Sequence, residues 1–319
     1  MKALIDGDIL VYRAGYAAQK TLHVLTFNES LDRAQFLTKK LMDDYIKKNK
    51  LQGLVKTDIE IRPEPVENAL HSCKLMIQDI LLSVGTDEHK ILLTSNDKSN
   101  YRFDIAKTQV YKGNRKQPKP VHYEALREYL IKNWNAEVIE GKEADDELGI
   151  LQTNDTIICS IDKDLRMIPG HHYNFVTKEK ELIQNPGYLK LENNNRKLVG
   201  GGLKWFYAQM LLGDSADNIP GIPGYGPVKV HATLGSAVDE LELVKRTYDS
   251  YLSGLNEHNV VDRFLEVADL LWIQKEPLKR KSEQLKNFLH ELGHSEEEWW
   301  EPQDADLDWI GEHNGEPEE

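Results

Sequence analysis

Cysteine is scarce in this sequence, with only Cys73 and Cys159 among 319 residues. Two cysteines cannot build a disulfide framework or a cysteine-rich zinc site, so a reducing cytoplasm is the expected compartment. Long apolar runs are also missing, which argues against a membrane-spanning helix and a membrane partner. The first apolar run meets Asp6 and Asp8 at once, whereas a signal peptide needs a longer stretch without charge.

Basic residues are fewer than acidic ones: the chain has 40 Lys and Arg residues and 53 Asp and Glu residues, for a formal net charge of −13. Eleven acids follow Ser295 in a segment without Lys or Arg, and removing them from −13 leaves −2 for residues 1–295. Residues 105–123, by contrast, contain no acid and five bases: Lys107, Lys112, Arg115, Lys116 and Lys119. Since salt screens charges beyond roughly 8–10 Å, this basic segment can hold a phosphate backbone on an acidic chain.

Strand-like and helical segments alternate along the first 185 residues, which predicts an α/β fold with a mostly parallel central sheet flanked by helices. Short apolar or alternating runs predict strands at residues 2–5, 22–27, 58–62, 90–94, 136–139 and 156–161. Amphipathic or charged stretches predict helices at residues 9–18, 31–48, 66–81, 124–134 and 144–151. Beyond a turn-rich segment at 185–195, residues 203–212 and 228–292 are predicted to be helical.

This change of pattern predicts three regions. Residues 1–185 form an α/β core, residues 186–294 a helical region, and residues 295–319 an acidic tail that we expect to be flexible. The tail also carries three tryptophans, at positions 299, 300 and 309. It could imitate a nucleic-acid strand, dock on a replication protein, or serve only as a solubilising end.

Carboxylates follow predicted strands or begin predicted helices at several places in the sequence. Sites in parallel sheets lie at the carboxyl ends of strands, so these side chains are expected to converge. Gathering them is costly unless multivalent cations compensate their charge. Oxygen-only ligands favour Mg²⁺ or Mn²⁺, and two such ions can clamp an in-line displacement at phosphorus. The ten acids are Asp6, Asp8, Asp97, Glu143, Asp145, Asp146, Asp162, Asp164, Asp214 and Asp217.

The segment 213–226 is dense in glycine and proline, with the sequence GDSADNIPGIPGYG. This composition predicts a tight turn between helices, whose backbone amides and carbonyls can approach a phosphate backbone closely. An ordinary helix–helix turn is the alternative on these residues alone.

Five motifs, taken in order, resemble those of the 5′–3′ exonuclease and flap endonuclease family, which includes phage exonucleases and the nuclease domain of bacterial DNA polymerase I. They are LIDGDILVYRA at residues 4–14, YKGNR at 111–115, EADD at 143–146, DKD at 162–164 and the loop at 213–226. The short motifs are weak singly, but the ordered set spans residues 2–232. The resemblance implies a PIN-like 5′ nuclease fold with a helix–three-turn–helix DNA-binding region.

The resemblance also implies a site with two divalent metal ions. The first would be held by Asp6, Asp97, Glu143 and Asp145, and the second by Asp162, Asp164, Asp214 and Asp217, with Asp146 among or behind the ligands. Lys112 and Arg115 would steady the scissile phosphate and its transition state, as fixed cations do. The catalytic set would then be Asp6, Asp145, Lys112 and Arg115.

DNA contacts are implied for the basic segment and for the loop. Lys116 and Lys119 would hold the backbone, and Tyr111 would either stack on a terminal base or pack in the core. The loop resembles the family's monovalent-ion site, where backbone carbonyls hold K⁺ against the DNA phosphates. The residues of the loop and the following helix that would bind DNA are Gly221, Ile222, Gly224, Gly226 and Lys229.

Three features depart from the family pattern. Asp8 stands where many relatives have Ser or Thr, and it is either a further ligand or the cap of the first helix. The spacing from Arg115 to Glu143 is short, so the helical arch that threads a single strand would be reduced to the loop 116–120. Residues 21–62 look like an insertion.

The implied activity is structure-specific 5′–3′ hydrolysis of DNA, and of RNA in hybrids, in replication, primer removal or DNA degradation. Its substrates would carry a free 5′ end, a flap or a branched junction. No polymerase sequence follows, which suggests a stand-alone nuclease of phage type, acting in the host cytoplasm. Two other interpretations stay open. One is a haloacid-dehalogenase-type phosphatase with Asp6 as nucleophile and Asp8 as general acid, and the other is an inactive DNA-binding protein.

Overall fold

A computed structural model describes residues 1–97, 99–256 and 259–294 of the chain. The first half contains β1 (Lys2–Asp6), α1 (Gly7–Ala17), β2 (Gln19–Phe27), β3 (Arg33–Phe36), α2 (Lys39–Lys48), β4 (Val55–Pro63), α3 (Val66–Val84), β5 (His89–Thr94), α4 (Arg102–Ile105), α5 (Tyr123–Trp134), β6 (Glu137–Ile139), α6 (Ala144–Leu151) and β7 (Thr156–Cys159). After a 3₁₀ turn (Asp164–Met167) come β8 (Gly170–Asn174), β9 (Glu179–Ile183), β10 (Tyr188–Glu192), β11 (Lys197–Gly201), α7 (Leu203–Leu212), β12 (Gly213–Asp214), β13 (Ile219–Pro220), α8 (Pro227–Leu234), α9 (Glu240–Gly254), α10 (Val260–Leu271) and α11 (Lys281–Glu291).

Six strands form the main sheet, in the order β6-β5-β1-β7-β8-β9. All neighbours run parallel except β9, which is antiparallel to β8 at one edge. This arrangement confirms the mostly parallel α/β class. Because β1, β5 and β7 are adjacent and parallel, their carboxyl ends meet at one edge of the sheet, where the predicted carboxylates follow them.

Apolar residues of the central strands alternate between two hydrophobic clusters, one on each face of the sheet. Leu4 and Ile158 belong to the cluster shared with α6, α7 and α10, whereas Ile5 and Cys159 belong to the cluster shared with α1, α3 and α5. The first cluster also contains Phe206 of α7. The main sheet ends at Ile183, close to the predicted boundary at residue 185, but the hydrophobic core continues past it. The predicted tail region, 295–319, lies outside the described residues.

Residues 19–63 form a small antiparallel sheet of their own, in the order β3-β2-β4, with α2 beside it. The helix predicted over 31–48 is wrong in its first part, because residues 33–36 pair with β2 as a strand. The helix begins only at Lys39, after Thr38, whose side chain accepts a hydrogen bond from the Leu41 amide at 3.2 Å. Strand pairing thus overrides the charged, helix-like composition of this stretch.

Residues 170–201 contain four strands that the composition did not reveal. β8 and β9 extend the main sheet, and the turn-rich stretch is the β10–β11 hairpin, whose tip has Asn193, Asn194 and Asn195 at positive φ. Helix α7 covers the predicted range 203–212, and the predicted helical stretch 228–292 is divided among α8 to α11. In the described part of the chain, no helix has both the length and the apolar character to cross a membrane.

Candidate active site

The first acids of the site lie at the junction of β1 and α1. Asp6 ends β1 and caps α1, because its Oδ1 accepts a hydrogen bond from the Ile9 amide at 3.1 Å. Its Oδ2 accepts from the Ser160 hydroxyl at 2.7 Å. The carboxylate of Asp8 accepts from the Thr94 amide at 3.0 Å and from Arg127 at 3.2 Å. The alternative that made Asp8 the helix cap is therefore wrong, since Asp6 has that role.

The second group of acids begins α6 through a reciprocal capping box. Glu143 is the N-cap residue, and its own amide donates to Asp146 at 3.2 Å. Asp146 is fully buried and receives two hydrogen bonds from Arg102, at 2.6 and 2.8 Å. Asp146 therefore stands behind the cleft and holds Glu143 in place. The sequence left open whether Asp146 is among the metal ligands or behind them, and in this structure it lies behind them.

Two adjoining cavities, of about 440 and 170 Å³, form the cleft at this edge of the sheet. Both are lined by Glu143, Asp145 and Asp162, together with Lys112 and Arg115. The acids that the sequence assigned to the first metal all line the larger cavity: Asp6, Asp97, Glu143 and Asp145. Those assigned to the second metal all line the smaller one: Asp162, Asp164, Asp214 and Asp217.

Burial makes several of these carboxyl groups difficult to ionise. It raises the pKa of Asp6 to about 7, with a further contribution from the negative charge of Asp8. Burial and then the neighbouring Asp162 raise the pKa of Asp164 to about 8. The pKa values of Asp145 and Asp162 are raised too, mainly by burial. Such a set of oxygen donors would ionise more readily beside hard cations, and it suits Mg²⁺ or Mn²⁺.

The carboxylates are paired with cations of the chain itself. The Lys112 ammonium binds Glu143 and lies 3.9 Å from Asp217, and Arg115 binds Asp217 at 2.5 Å. Burial disfavours ionised Glu143, but the charges of Lys112 and Arg102 and the hydrogen bonds from Lys112 and Tyr111 together outweigh it, so the pKa of Glu143 is lowered. With the acids spread along the cleft in this way, no three His, Cys, Asp or Glu side chains of the described residues are grouped to hold a metal ion.

Lys163, between two of the predicted ligands in the sequence, is a further cation at the smaller cavity. Its ammonium lies 3.3 Å from Asp214 and 3.7 Å from Asp164. Sequence reasoning did not single out this residue, although its position in the DKD motif could have drawn attention to it. Arg102 and Arg127, which hold Asp146 and Asp8, were also missed, because no local pattern marks them.

Tyr111 is packed in the core. Its side chain is only 3% exposed and lies edge-on to Phe103, with ring centroids 5.5 Å apart. Its hydroxyl lies 2.9 Å from a carboxylate oxygen of Asp217 and 3.2 Å from one of Glu143, and it can donate its single proton to either. Of the two roles left open for Tyr111, packing describes this structure, and no ring face is available for a terminal base.

Lys119 and Asp97 line the larger cavity. Lys119 donates to Asn96 at 2.9 Å and lies 3.9 Å above the Tyr123 ring, whereas Lys116 is exposed. Asp97 is exposed, and hydrogen bonds from Ser99 lower the pKa of Asp97. These side chains are accessible to a strand that enters the cleft from solvent.

The loop 213–226 is closed at its base by the short β12–β13 ladder. A side chain on Gly221 would come within 2.3 Å of the Leu212 backbone, so only glycine fits there. The Ile222 side chain is buried, 5% exposed, so a DNA contact at this position would come from its backbone. Gly224, at φ +77°, and Gly226 are exposed, and the Lys229 ammonium lies 3.6 Å above the Tyr225 ring. The backbone of the loop and Lys229 thus face solvent next to the smaller cavity, which Asp214 and Asp217 line.

Comparison with known proteins gives partial matches, and no protein-family model matches the chain. The chain is 29% identical over 177 residues to a 5′–3′ exonuclease of Buchnera aphidicola, covering 51% of this chain and 58% of that protein. It is 31% identical over 134 residues to the flap endonuclease Xni of Shewanella halifaxensis, covering 40% of this chain and 48% of that protein. The chain thus spans about half the length of these curated relatives. Among solved structures, the T5 D15 protein co-crystallized with metal ions matches with a TM-score of 0.43 and 16% identity, over 90% of this chain and 98% of that chain.

Proposed function

We propose that this chain, which is related to the 5′–3′ exonucleases and flap endonucleases, hydrolyses phosphodiester bonds of DNA that has a free 5′ end, a flap or a branched junction. One observation carries the proposal: acids from five separate segments of the chain converge on one cleft with Lys112 and Arg115. A cleft rich in carboxylates repels a phosphodiester unless cations compensate it. Metal-assisted hydrolysis at phosphorus accounts for both the acids and the two cations.

Two divalent ions, Mg²⁺ or Mn²⁺, are the group that this donor set fits. One ion would be held by acids that line the larger cavity, Asp6, Asp97, Glu143 and Asp145, and the other by acids that line the smaller one, Asp162, Asp164, Asp214 and Asp217. Such ions, when bound, supply an activated water and offset the charge on the phosphate. Asp146 takes no part as a ligand, because Arg102 occupies both of its oxygens.

The side chains of the YKGNR motif orient the phosphate and balance its charge. Lys112 and Arg115 lie between the two carboxylate groups, where both cavities meet. As fixed cations, they would bind a phosphate oxygen that develops negative charge in the transition state. Tyr111 acts indirectly, since its hydroxyl bonds hold Glu143 and Asp217 in register.

DNA on either side of the cleft would be held by charge and by backbone contacts. Lys119 lines the larger cavity and Lys116 is exposed three residues before it, whereas Lys229 is exposed just after the loop whose Asp214 and Asp217 line the smaller cavity. We propose that the exposed backbone around Gly224 and Gly226 contacts the duplex, with K⁺ as the monovalent ion between loop carbonyls and phosphates. Contacts of this kind do not depend on base sequence, which suits an enzyme that recognises the shape of a junction.

Further proposals concern location and partners. Cys73 and Cys159 are free and buried, which supports a cytoplasmic location. The eleven acids and three tryptophans after Ser295 support docking of this segment on a replication protein. This segment lies outside the described residues, so the argument for it depends on composition alone.

A duplex with a labelled 5′ overhang, incubated with Mg²⁺ or with EDTA, tests the proposed activity. We expect short labelled products with Mg²⁺ and none with EDTA. A haloacid-dehalogenase-type phosphatase would instead remove only the terminal phosphate and form a phosphoaspartyl intermediate on Asp6. An intact duplex after incubation with Mg²⁺ contradicts the proposal.

A further inference from the structure

A cavity of about 240 Å³ adjoins the carboxylate cleft at Asp162, whose side chain borders both. Its walls come from β8 and β9, from strand β11 of the β10–β11 hairpin, and from Trp205 of α7. In the hairpin register, Lys197 and Val199 point to the same face, and both line the cavity. The hairpin therefore forms one wall of a partly open cavity beside the proposed reaction centre.

The lining mixes apolar and polar side chains, and some of the polar groups have hydrogen-bonding capacity left. Leu165 and Trp205 form part of the apolar surface. The Arg166 Nε is buried and has no hydrogen-bond partner among the described residues, although the Arg166 guanidinium also binds Glu181. Buried donors without partners are uncommon, and a group bound in the cavity would supply the missing acceptor.

His172 adds an acceptor to this donor. Its Nε2 donates to the Ile168 carbonyl at 2.8 Å, so Nδ1 is the acceptor nitrogen of the neutral ring. Burial lowers the pKa of His172 to about 4, which keeps the ring neutral at physiological pH. The cavity thus offers both a donor and an acceptor between apolar walls.

The charges around the cavity balance. Three cations, Lys163, Arg166 and Lys197, face three acids, Asp162, Glu179 and Glu181. A site for a phosphate group would have an excess of positive charge, whereas a neutral heterocycle needs none. A bound nucleobase needs apolar surface for its ring faces and fixed donors and acceptors for its edges, and this mixed lining supplies both.

We propose that this cavity accepts one unpaired nucleobase of the strand that is cut, from a nucleotide next to the scissile phosphate. Because Asp162 borders both spaces, a nucleotide with its phosphate in the cleft can place its base in the cavity. The inference rests on the proposed nuclease function, and it adds a site that holds the strand end unpaired at the carboxylates.

Val199→Phe tests the proposal, because the larger side chain would fill part of the cavity from the hairpin side. Leu182→Phe is the matched control: Leu182 lies on β9, is 55% exposed, and alternates with the lining residue Glu181. Each chain is assayed in single turnover with Mg²⁺ on flap substrates that carry a normal base or an abasic site at either nucleotide flanking the cut bond.

At one of the two flanking nucleotides, an abasic site should slow cleavage by the wild-type chain and by Leu182→Phe about tenfold, a typical effect of losing one stacked base. Val199→Phe should cut both versions at the same slow rate. Equal wild-type rates on all base-containing and abasic substrates would overturn the proposal, whatever the stability of the Val199→Phe chain.

Binding without cleavage separates this proposal from the proposed function. With 2-aminopurine at the flanking nucleotides and EDTA present, the wild-type chain should change the fluorescence of the probe, and Val199→Phe should not. This fluorescence result supports the base site even if no chain cuts DNA with Mg²⁺. A lack of cleavage would refute only the nuclease function. The same fluorescence change in Val199→Phe and wild type refutes the base site alone.

Discussion

Arg102 and Asp146 form a buried ion pair behind the carboxylate cleft, through two hydrogen bonds of 2.6 and 2.8 Å. Arg102 also donates to the backbone carbonyls of Leu270, at 3.0 Å, and Trp272, at 2.6 Å. Since Asp146 belongs to the capping box of Glu143, the pair ties the acids at the start of α6 to the end of α10. The helical region thus supports the geometry of the cleft.

Arg102→Met should lower the free energy of unfolding by about 3–5 kcal/mol, because it leaves the charge of Asp146 buried without its partner. Urea denaturation monitored by circular dichroism measures this change. Arg33→Met is the control, since Arg33 pairs with Glu60 on the surface at 3.4 Å and should cost at most about 1 kcal/mol. Similar losses for the two variants would mean that the buried pair has no special role in stability.

Asp145→Ala and Asp162→Ala should each reduce the single-turnover rate on a flap substrate about a hundredfold or more, while DNA binding is retained. Both acids line the two cavities, and metal clamps act mainly on the transition state. Asp87→Ala, an exposed acid in the turn before β5, serves as the control. An Asp145→Ala chain with wild-type rate would remove Asp145 from the site.

Lys112→Ala should act on chemistry, whereas Lys116→Ala and Lys119→Ala should act mainly on affinity. Lys112 lies between the two groups of carboxylates, whereas Lys119 lines the larger cavity and Lys116 is exposed three residues before it. Loss of one phosphate contact should reduce the slope of log Kd against log salt by about one unit. Single-turnover rates and a salt series separate the two effects. If Lys112→Ala changes only Kd, the catalytic role proposed for Lys112 is wrong.

His172 should make stability depend on pH in the acidic range. Burial lowers the pKa of His172 from 6.5 to about 4, so the unfolded chain binds a proton more readily than the folded chain between these values. Stability contributed by the neutral ring is therefore present above pH 6.5 and lost as pH falls towards 4, by about 3 kcal/mol.

His172→Gln provides the comparison, because a glutamine can still donate to the Ile168 carbonyl but does not titrate. The difference in unfolding free energy between wild type and His172→Gln, measured by urea denaturation from pH 4 to pH 8, should change in this window. A difference that stays constant across the range would contradict a buried neutral His172.

Much of the fold and of the acid clusters could be predicted because their causes are local in sequence. The strand at residues 2–5 and the acids after it follow from an apolar run that ends in charge. The parallel-sheet rule then brings Asp6, Glu143 and Asp162 to one edge, where the structure has them beside each other. The tight turn at 213–226 could also be predicted from local sequence, because its glycines permit close backbone packing such as that of Gly221 against Leu212.

The rest depends on contacts between distant segments. The strand at residues 33–36 forms only because β2 lies beside it, and its own composition favours a helix. Tyr111 could not be placed from its motif, because its burial depends on Phe103 and on two acids from other segments. Arg102 binds carbonyls about 170 positions away, and no local pattern encodes such a partner.

The most direct test of the account is the product ladder from one flap substrate labelled either at its 5′ end or at its 3′ end, cut by the wild-type chain and by Asp145→Ala. With Mg²⁺, the wild-type chain should release short 5′-labelled fragments while the 3′-labelled strand shortens from its 5′ side, and Asp145→Ala should yield neither product. Loss of nucleotides from the 3′ end, or an unchanged ladder for Asp145→Ala, would contradict a 5′ nuclease centre at these carboxylates.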